Sequence, residues 1–158
     1  MAPLAALANE KRHTVVWARA PATVRCDPEL IERVALNLIR NAVETTPSGG
    51  RIEILVARTA ERLRVSVSDN GPGVPREFQT LIFEKFGQTP EGRKVKRRSS
   101  GLGLIFCKLA VEAHGGSIGV ESDTDQGSTF WFELPVGHAG AGVPSTDTGK
   151  PGKLEEQR

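Results

Sequence analysis

The residues Ser68-Asp69-Asn70-Gly71-Pro72-Gly73-Val74 end a run, 63–67, in which apolar and polar residues alternate. Alternation of this period predicts a half-buried β-strand that carries Asp69 to its end. Gly71 and Gly73 lack a Cβ atom, so the backbone there can approach a flat ligand closely. A purine suits this arrangement, because a carboxylate accepts a hydrogen bond from an exocyclic amino group. The same residue types are the commonest turn formers, so a plain turn is the alternative.

The composition limits the class of protein. The chain has 158 residues, of which 38% are hydrophobic and 25% charged, so about one domain with its own core is expected. The net charge of +2 gives no global electrostatic case for nucleic acid or an anionic membrane as a partner. Cys26 and Cys107 lie far apart without Cys-x-x-Cys spacing, which argues against a zinc site and a disulfide framework and predicts buried, reduced thiols.

The location of the domain is predicted from what its sequence lacks. No run of about 18 apolar residues occurs, and no basic stretch followed by an apolar one opens the chain. A cytoplasmic domain without membrane contact of its own is therefore expected, although a parent protein could be membrane-anchored. The folded domain is predicted to span 13–136, and the Gly-, Pro- and Ser-rich residues 137–158 are predicted to be a disordered tail or linker.

The first third of the chain predicts a strand and a long helix. Residues 1–12 have helical propensity and are expected to be the end of a preceding linker or helix. The β-branched run 13–18 predicts a first strand, and 22–26 predicts a second, short one. The pair Asp27-Pro28 supplies an N-cap and a proline at the first helical position, so a helix is expected from there to the break at 47–50.

The rest of the chain predicts mainly antiparallel strands. In the last of these, Phe130 and Phe132 share one face of the strand, and Thr129, Trp131 and Glu133 share the other. The predicted elements are strands at 51–58 and 62–69 joined as a hairpin, a helical turn at 75–84, a helix at 104–112, and a closing pair of strands at 117–121 and 128–134.

Two asparagines lie on the helix that begins after Asp27. Asn37 and Asn41 are four residues apart, so both side chains project from one face of the helix. Asparagine is a poor helix former, and buried amides need hydrogen-bond partners. An amide oxygen is a suitable ligand for Mg²⁺ that is held mainly by water and phosphate oxygens. A solvated edge of the helix is the alternative for either residue alone.

A glycine-containing segment opens the helix predicted at 104–112. Gly101 and Gly103 expose backbone N–H groups at a helix N-terminus, where an anion such as a phosphate binds favourably. The spacing matches neither a P-loop nor a dinucleotide fingerprint. The preceding residues 87–100 form a long polar segment with five basic side chains, typical of a lid over phosphates or of a solvated mobile loop. These side chains are Arg93, Lys94, Lys96, Arg97 and Arg98.

Five motifs follow one another along the chain: Asn37-Leu38-Ile39-Arg40-Asn41-Ala42, Asp69-x-Gly71-x-Gly73, Phe83-x-x-Phe86, Gly101-x-Gly103-Leu104 and Gly127-Ser128-Thr129-Phe130. Taken together, these motifs resemble the ordered boxes of sensor histidine kinases. The resemblance covers about residues 10–136 and implies the ATP-binding fold that these kinases share with gyrase, the heat-shock ATPase and the mismatch-repair ATPase. That fold is an α+β, two-layer α/β sandwich with a mixed, mostly antiparallel sheet and helices on one face (the Bergerat-type ATP-binding fold).

The resemblance implies a role for each matched residue. Asp69 would hold the adenine amino group with support from Thr129, Asn41 would ligate Mg²⁺, and Asn37 would lie near the phosphates. Asn37 and Asn41 are therefore the expected catalytic residues, and residues 87–100 the expected ATP lid. The full set expected to bind ATP is Asn37, Asn41, Asp69, Gly71, Gly73, Phe86, Ser100, Gly101, Leu102, Gly103, Leu104 and Thr129.

The chain departs from the family pattern in ways that bear on its activity. Glu44 stands where many members have a basic residue, so the lid is expected to supply that phosphate contact. In the ATPase relatives a glutamate acts as general base where this chain has Asn37, so hydrolysis by water is expected to be slow. No histidine of the chain resembles a phosphoacceptor in a dimerisation helix. The expected partners are therefore a separate dimerisation and phosphoacceptor domain and, downstream, a response regulator.

Three functions remain open from the sequence. The first is ATP-dependent phosphoryl transfer to a histidine in two-component signalling, with ATP and Mg²⁺ as cofactors. The second is a nucleotide-sensing interaction module that closes its lid without transferring phosphate. The third is an anti-sigma-type serine kinase of the same fold.

Overall fold

A five-stranded sheet forms one layer of the domain in this computed structural model, which describes residues 2–20, 23–84 and 102–136. Its strands are β1 (Thr14–Arg19), β2 (Arg51–Arg58), β3 (Arg62–Asp69), β4 (Ser117–Asp123) and β5 (Gly127–Pro135). The helices are α1 (Ala2–Glu10), α2 (Pro28–Thr45) and α3 (Gly103–Ala113), with two 3₁₀ turns at Arg76–Phe78 and Leu81–Phe83. None of the described helices is long and apolar enough to cross a membrane.

The sheet has the order β1-β2-β3-β5-β4 and is mixed. The first two strands are parallel, and the other three pairs are antiparallel. The expected hairpin at 51–69 and the closing strand pair are both present. The prediction of a short strand at 22–26 is wrong, because residues 23–25 form no strand. A strand needs a backbone partner, and Val24 and Cys26 instead pack, partly buried, against the core.

The long helix α2 begins where the sequence predicts. The Asp27 Oδ1 atom accepts hydrogen bonds from the backbone N–H groups of Glu29 (3.0 Å) and Leu30 (3.1 Å), which would otherwise be unsatisfied in the first turn. One stripe of the helix is buried against the sheet and includes Val34 and Leu38. Burial of this apolar stripe, rather than helix propensity, holds α2 in place.

The core lies between the helices and one face of the sheet. Alternate residues of β5 point into it, Phe130 and Phe132 among them, as the sequence predicts. Phe83 of the second 3₁₀ turn packs edge-on against Phe130, with ring centroids 6.4 Å apart. The expected fold, a two-layer sandwich with helices on one face, is confirmed. Phe86 and the tail 137–158 lie outside the described residues.

Both cysteines are free thiols, as expected. Cys107 is buried under α2, and its Sγ atom lies 3.8 Å from the Val34 carbonyl oxygen. Cys26 is only half-buried, so the prediction that both thiols are buried is wrong for this residue. It stands directly before the N-cap of α2, where one side of the chain faces solvent.

Candidate functional site

The Asp69 carboxylate lies at the end of β3 on the helix-covered face of the sheet. The residue is only 8% exposed. Its Oδ1 atom accepts a hydrogen bond from the Gly71 N–H at 2.8 Å, whereas its buried Oδ2 atom has no partner within residues 2–20, 23–84 and 102–136. Burial raises the pKa of the Asp69 carboxyl above its usual value of 3.8, and the Gly71 hydrogen bond partly opposes this. A buried acceptor with an open lone pair is suited to a ligand N–H group.

Two glycines let other parts of the backbone close around this carboxylate. A Cβ atom at Gly71 would lie 2.7 Å from Asp69 Oδ1, so any larger residue there would displace the carboxylate oxygen, and 3.5 Å from the Thr45 carbonyl oxygen. At Gly127 the backbone has a φ of +94°, and a Cβ there would overlap the Asp69 carbonyl group. The two glycines thus hold Asp69 between the end of α2 and the start of β5.

The glycine loop that follows Asp69 is fixed by contacts that the sequence does not predict. Ser122 Oγ accepts a hydrogen bond from the Val74 N–H (2.7 Å) and donates one to the Gly127 carbonyl (2.6 Å). The Gln79 side-chain amide donates to the carbonyls of Val74 (2.9 Å) and Ser122 (2.8 Å). Gly73, at a φ of +76°, packs against Asp123, where a Cβ would overlap the carbonyl. The β4–β5 hairpin therefore holds the glycine loop in place through these hydrogen bonds and contacts.

Thr129 does not meet Asp69 in the structure. Its hydroxyl lies 2.9 Å from the Ser68 hydroxyl, with which it is paired on the uncovered face of the sheet. Directly opposite Asp69 is Ser128, which is 7% exposed and shares the helix-covered face. The sequence already held the signal for Ser128, because it alternates in register with Phe130 on the core side.

The asparagines of α2 lie near the start of α3. Asn37 is half-buried, and its Oδ1 atom would be 3.7 Å from a Cβ placed on Gly103. Burial raises the pKa of the Cys107 thiol to about 11, against the opposing effect of a hydrogen bond from the Asn37 side chain. Asn41, one turn further along α2, is also half-buried, and its carbonyl accepts the Thr45 hydroxyl at 2.8 Å. Asn37 and Gly103 are therefore neighbours, as expected if the asparagine motif of α2 and the glycine motif of α3 contact the same ligand.

The N-terminus of α3 has no side-chain cap among the described residues. The helix begins at Gly103 after Leu102. Its first backbone N–H groups therefore lack a side-chain acceptor there and carry the positive end of the helix dipole. Leu102 is exposed and Leu104 half-buried. The remaining predicted site residues, Phe86, Ser100, Gly101 and the lid residues Arg93, Lys94, Lys96, Arg97 and Arg98, lie outside the described residues.

The fold and this site define a class of protein. A two-layer sandwich presents a buried carboxylate, a glycine loop, an asparagine-bearing helix and a helix N-terminus on one side, and this set suits a purine nucleotide with its phosphates. Residues 26–138 match the family model described as histidine kinase-, DNA gyrase B- and HSP90-like ATPase. The chain belongs to this family.

Its relatives among known proteins are sensor kinases. The chain is 44% identical over 115 residues to the adaptive-response sensory kinase SasA of Rippkaea orientalis, a match that covers 72% of the chain and 29% of SasA. It is 50% identical over 115 residues to the sensor histidine kinase AruS of Pseudomonas aeruginosa, covering 68% of the chain and 11% of AruS. The chain thus spans less than a third of the length of either relative.

Solved structures of the histidine kinase ThkA share the fold. The ThkA catalytic domain superimposes with a TM-score of 0.73 and 29% sequence identity, over 85% of this chain and 88% of that one. ThkA in complex with the response regulator protein TrrA gives a TM-score of 0.70 and 29% identity, over 86% of this chain and 38% of that one. The chain is therefore homologous to the ATP-binding catalytic domain of sensor histidine kinases.

Proposed function

We propose that the chain binds ATP with Mg²⁺ and transfers the γ-phosphoryl group to a histidine on a dimerisation and phosphoacceptor domain. The observation that carries the proposal is the buried Asp69 Oδ2 atom, which has no partner within the described chain. A desolvated acceptor is costly unless it is satisfied, and the exocyclic amino group of adenine satisfies it. GTP, which presents a carbonyl oxygen at that position, would place two acceptors against each other.

The adenine would lie against the Asp69 carboxylate, beside the glycine loop. The Gly71 N–H holds Asp69 Oδ1, so that Oδ2 is left for the base. Ser128, which lies across from Asp69 on the same face, is proposed as the hydroxyl that supports the base contact, in place of Thr129. The Ser122 Oγ atom lies 3.4 Å from the Ser128 Oγ atom, so the two hydroxyls are neighbours.

The phosphates would lie between α2 and the start of α3. Asn37 is proposed to contact them, and Asn41 to supply an amide oxygen to Mg²⁺, whose other ligands would be water and phosphate oxygens. The Asn41 side-chain amide has no hydrogen-bond partner among the residues described, which leaves it available. Bound Mg²⁺ supplies charge neutralisation of the phosphates. The basic residues of 93–98 are proposed to close over the nucleotide as the lid.

The attacking group is proposed to come from outside the chain. A histidine imidazole would form a bond to the γ-phosphorus as the bond to the β–γ bridging oxygen breaks and ADP leaves. Asn37 stands where the ATPases of the group place a general base, and its amide cannot accept a proton at neutral pH. Alignment of the imidazole by docking, rather than activation of water, would therefore decide the rate.

The two described histidines support an external acceptor, because both are held within the fold. The His13 Nε2 atom lies 3.2 Å from the Thr46 carbonyl oxygen and 3.1 Å from that of Pro47. The His114 Nδ1 atom lies 2.6 Å from the Ala110 carbonyl oxygen, and its Nε2 accepts the Asp27 N–H at 3.0 Å. His138 lies outside the described residues. We propose a response regulator as the next phosphoacceptor, as the ThkA–TrrA complex suggests for that kinase, and a cytoplasmic location.

The test is a transfer assay with separately added acceptor. The isolated chain, γ-labelled ATP, Mg²⁺ and the phosphoacceptor hairpin of a related sensor histidine kinase should yield an acid-labile, base-stable label on the hairpin, with little turnover of ATP in its absence. The control is the same chain carrying Asp69→Asn, which should give roughly ten- to a hundredfold less label at an ATP concentration well below the dissociation constants of both proteins. Rapid ATP turnover retained in Asn37→Ala would indicate an ATPase, and an acid-stable label on serine an anti-sigma-type kinase. Nucleotide binding without any transfer would indicate a sensing module.

A further inference from the structure

The short segment between α1 and β1 is bound to the far end of α2. The Lys11 ammonium donates hydrogen bonds to the carbonyl oxygens of Val43 (2.8 Å), Glu44 (2.8 Å) and Thr46 (3.1 Å). The Lys11 backbone carbonyl in turn accepts the Gly49 N–H at 2.8 Å. Side chain and main chain of one residue thus hold the last turn of α2 and the turn that follows it.

This contact satisfies groups that a helix cannot satisfy by itself. The last carbonyls of an α-helix have no partner in the helix and carry the negative end of its dipole. An ammonium group has three N–H donors, and Lys11 directs them to three of these carbonyls. Hydrogen bonds with a charged donor are stronger than neutral ones, and Thr46 is fully buried, at 0% exposed. Loss of the ammonium therefore leaves the carbonyls of Val43 and Glu44 without this donor and loosens the end of α2, which His13 still contacts at the Thr46 and Pro47 carbonyls.

The end of α2 packs against the glycine loop that follows Asp69. The position of a Cβ on Gly71 lies 3.5 Å from the Thr45 carbonyl oxygen and 3.6 Å from the Thr46 Cα atom. Gly71 donates the hydrogen bond that holds Asp69 Oδ1. A continuous set of contacts thus leads from the Lys11 ammonium through the Thr45–Thr46 turn and the Gly71 backbone to the carboxylate.

From this set of contacts we infer that Lys11 is a positioning residue for nucleotide binding. The hydrogen bonds of its ammonium reach the end of α2 and the residue that follows it. Lys11 holds the last turn of α2 against Gly71, so that Asp69 Oδ2 keeps its direction and Asn41 keeps its place one turn away. The inference rests on the proposed function, because it takes the Asp69 site to be the ATP site.

The experiment replaces the ammonium and measures affinity apart from stability. Lys11→Met keeps an unbranched side chain of similar length and removes all three donors. Titration calorimetry with the non-hydrolysable analogue AMP-PNP and Mg²⁺, well below the melting temperature of every variant, should show a dissociation constant about three- to tenfold higher than that of the wild type. Lys11→Arg, which restores a cation with several donors, should recover most of the affinity.

A matched control separates positioning from general destabilisation. Asp27→Ala removes the N-cap at the opposite end of the same helix and should lower the melting temperature by a similar amount. It should leave the AMP-PNP dissociation constant within twofold of wild type, because the N-cap has no contact with Gly71. If Lys11→Met does not fold, Lys11→Gln, which keeps a single amide group as donor, decides by the same criterion.

The outcomes distinguish the two claims. Wild-type affinity in Lys11→Met, or an equal loss in Asp27→Ala, would overturn the positioning role and leave Lys11 as a helix cap only. Failure of the wild-type chain itself to bind AMP-PNP would overturn the proposed function instead. A selective loss in Lys11→Met with recovery in Lys11→Arg supports the inference.

Discussion

Substitution of Asp69 by asparagine should make the protein more stable and less able to bind ATP. The carboxylate is 8% exposed, and its Oδ2 atom lacks a partner throughout the described ranges. Asparagine keeps an oxygen for the Gly71 N–H and removes the buried charge. An unsatisfied neutral amide costs less than an unsatisfied carboxylate, so a net gain of about 1 kcal/mol in the free energy of unfolding is expected at pH 7.

The same substitution should damage the site. The Gly71 N–H retains the amide oxygen, so the asparagine NH₂ group would face the adenine amino group, donor against donor. Loss of one hydrogen bond to a charged acceptor is worth about 1.5–3 kcal/mol, or roughly ten- to a hundredfold in the dissociation constant for ATP. Calorimetric titration with Mg²⁺ and AMP-PNP measures this directly.

The stability gain should depend on pH in a defined direction. Burial raises the folded-state pKa of Asp69 above the usual 3.8. At a pH between 3.8 and the folded-state pKa, the folded wild type binds more protons than the unfolded chain. The free energy of unfolding therefore falls as the pH rises through this range. Asparagine does not titrate, so the advantage of Asp69→Asn should be complete above the folded-state pKa and shrink towards pH 3.8.

The assay is thermal unfolding of both proteins from pH 7 down through the acid range. A gain of about 1 kcal/mol corresponds to roughly 2–8 °C in the melting temperature of a domain of this size. A lower melting temperature for Asp69→Asn at pH 7, or unchanged affinity for AMP-PNP, would refute the reasoning. The first result would mean that the charge is satisfied in the folded protein, and the second that Asp69 does not contact the base.

The other predictions concern the residues around the base and the lid. Ser128→Ala should weaken ATP binding by about 0.5–1.5 kcal/mol, whereas Thr129→Ala should stay within twofold of wild type, and the reverse order in calorimetry would restore the role expected for Thr129. Gly127→Ala should prevent stable folding, seen as loss of a cooperative melting transition, because its Cβ would overlap the Asp69 carbonyl. Residues 92–98 should be cleaved by trypsin without nucleotide and protected by AMP-PNP with Mg²⁺, and unchanged cleavage would indicate a solvated loop.

Much of the fold could be predicted because its signals are local. The alternation of apolar residues before Asp69 marks β3, and the pair Asp27-Pro28 marks the start of α2 to the residue. The strand wrongly predicted at 22–26 depends on a non-local condition, the presence of a pairing partner. A β-rich segment becomes a strand only if a neighbouring strand offers free backbone groups, and propensity says nothing about that.

The site was predicted less evenly than the fold. Asp69 and Asn37 follow from motifs, since glycines after a strand and paired amides on a helix are visible in the chain. The choice between Ser128 and Thr129 depends only on which alternate residues of β5 face the core. The positions of the two phenylalanines already define this, because Ser128 shares their face. No local pattern indicates Gln79, whose amide bridges two carbonyls of the loop and the hairpin.

The sequence by itself determined most of the helices and strands, the glycine loop and the motif residues proposed to bind a nucleotide. Only the tertiary structure decided that one oxygen of Asp69 has no partner among the described residues, and that Lys11 holds the end of α2. The Lys11 hydrogen bonds join residues 32 to 35 positions apart. Periodicity and capping signals extend over a few residues, so contacts across such separations arise only when α1, α2 and the sheet pack together.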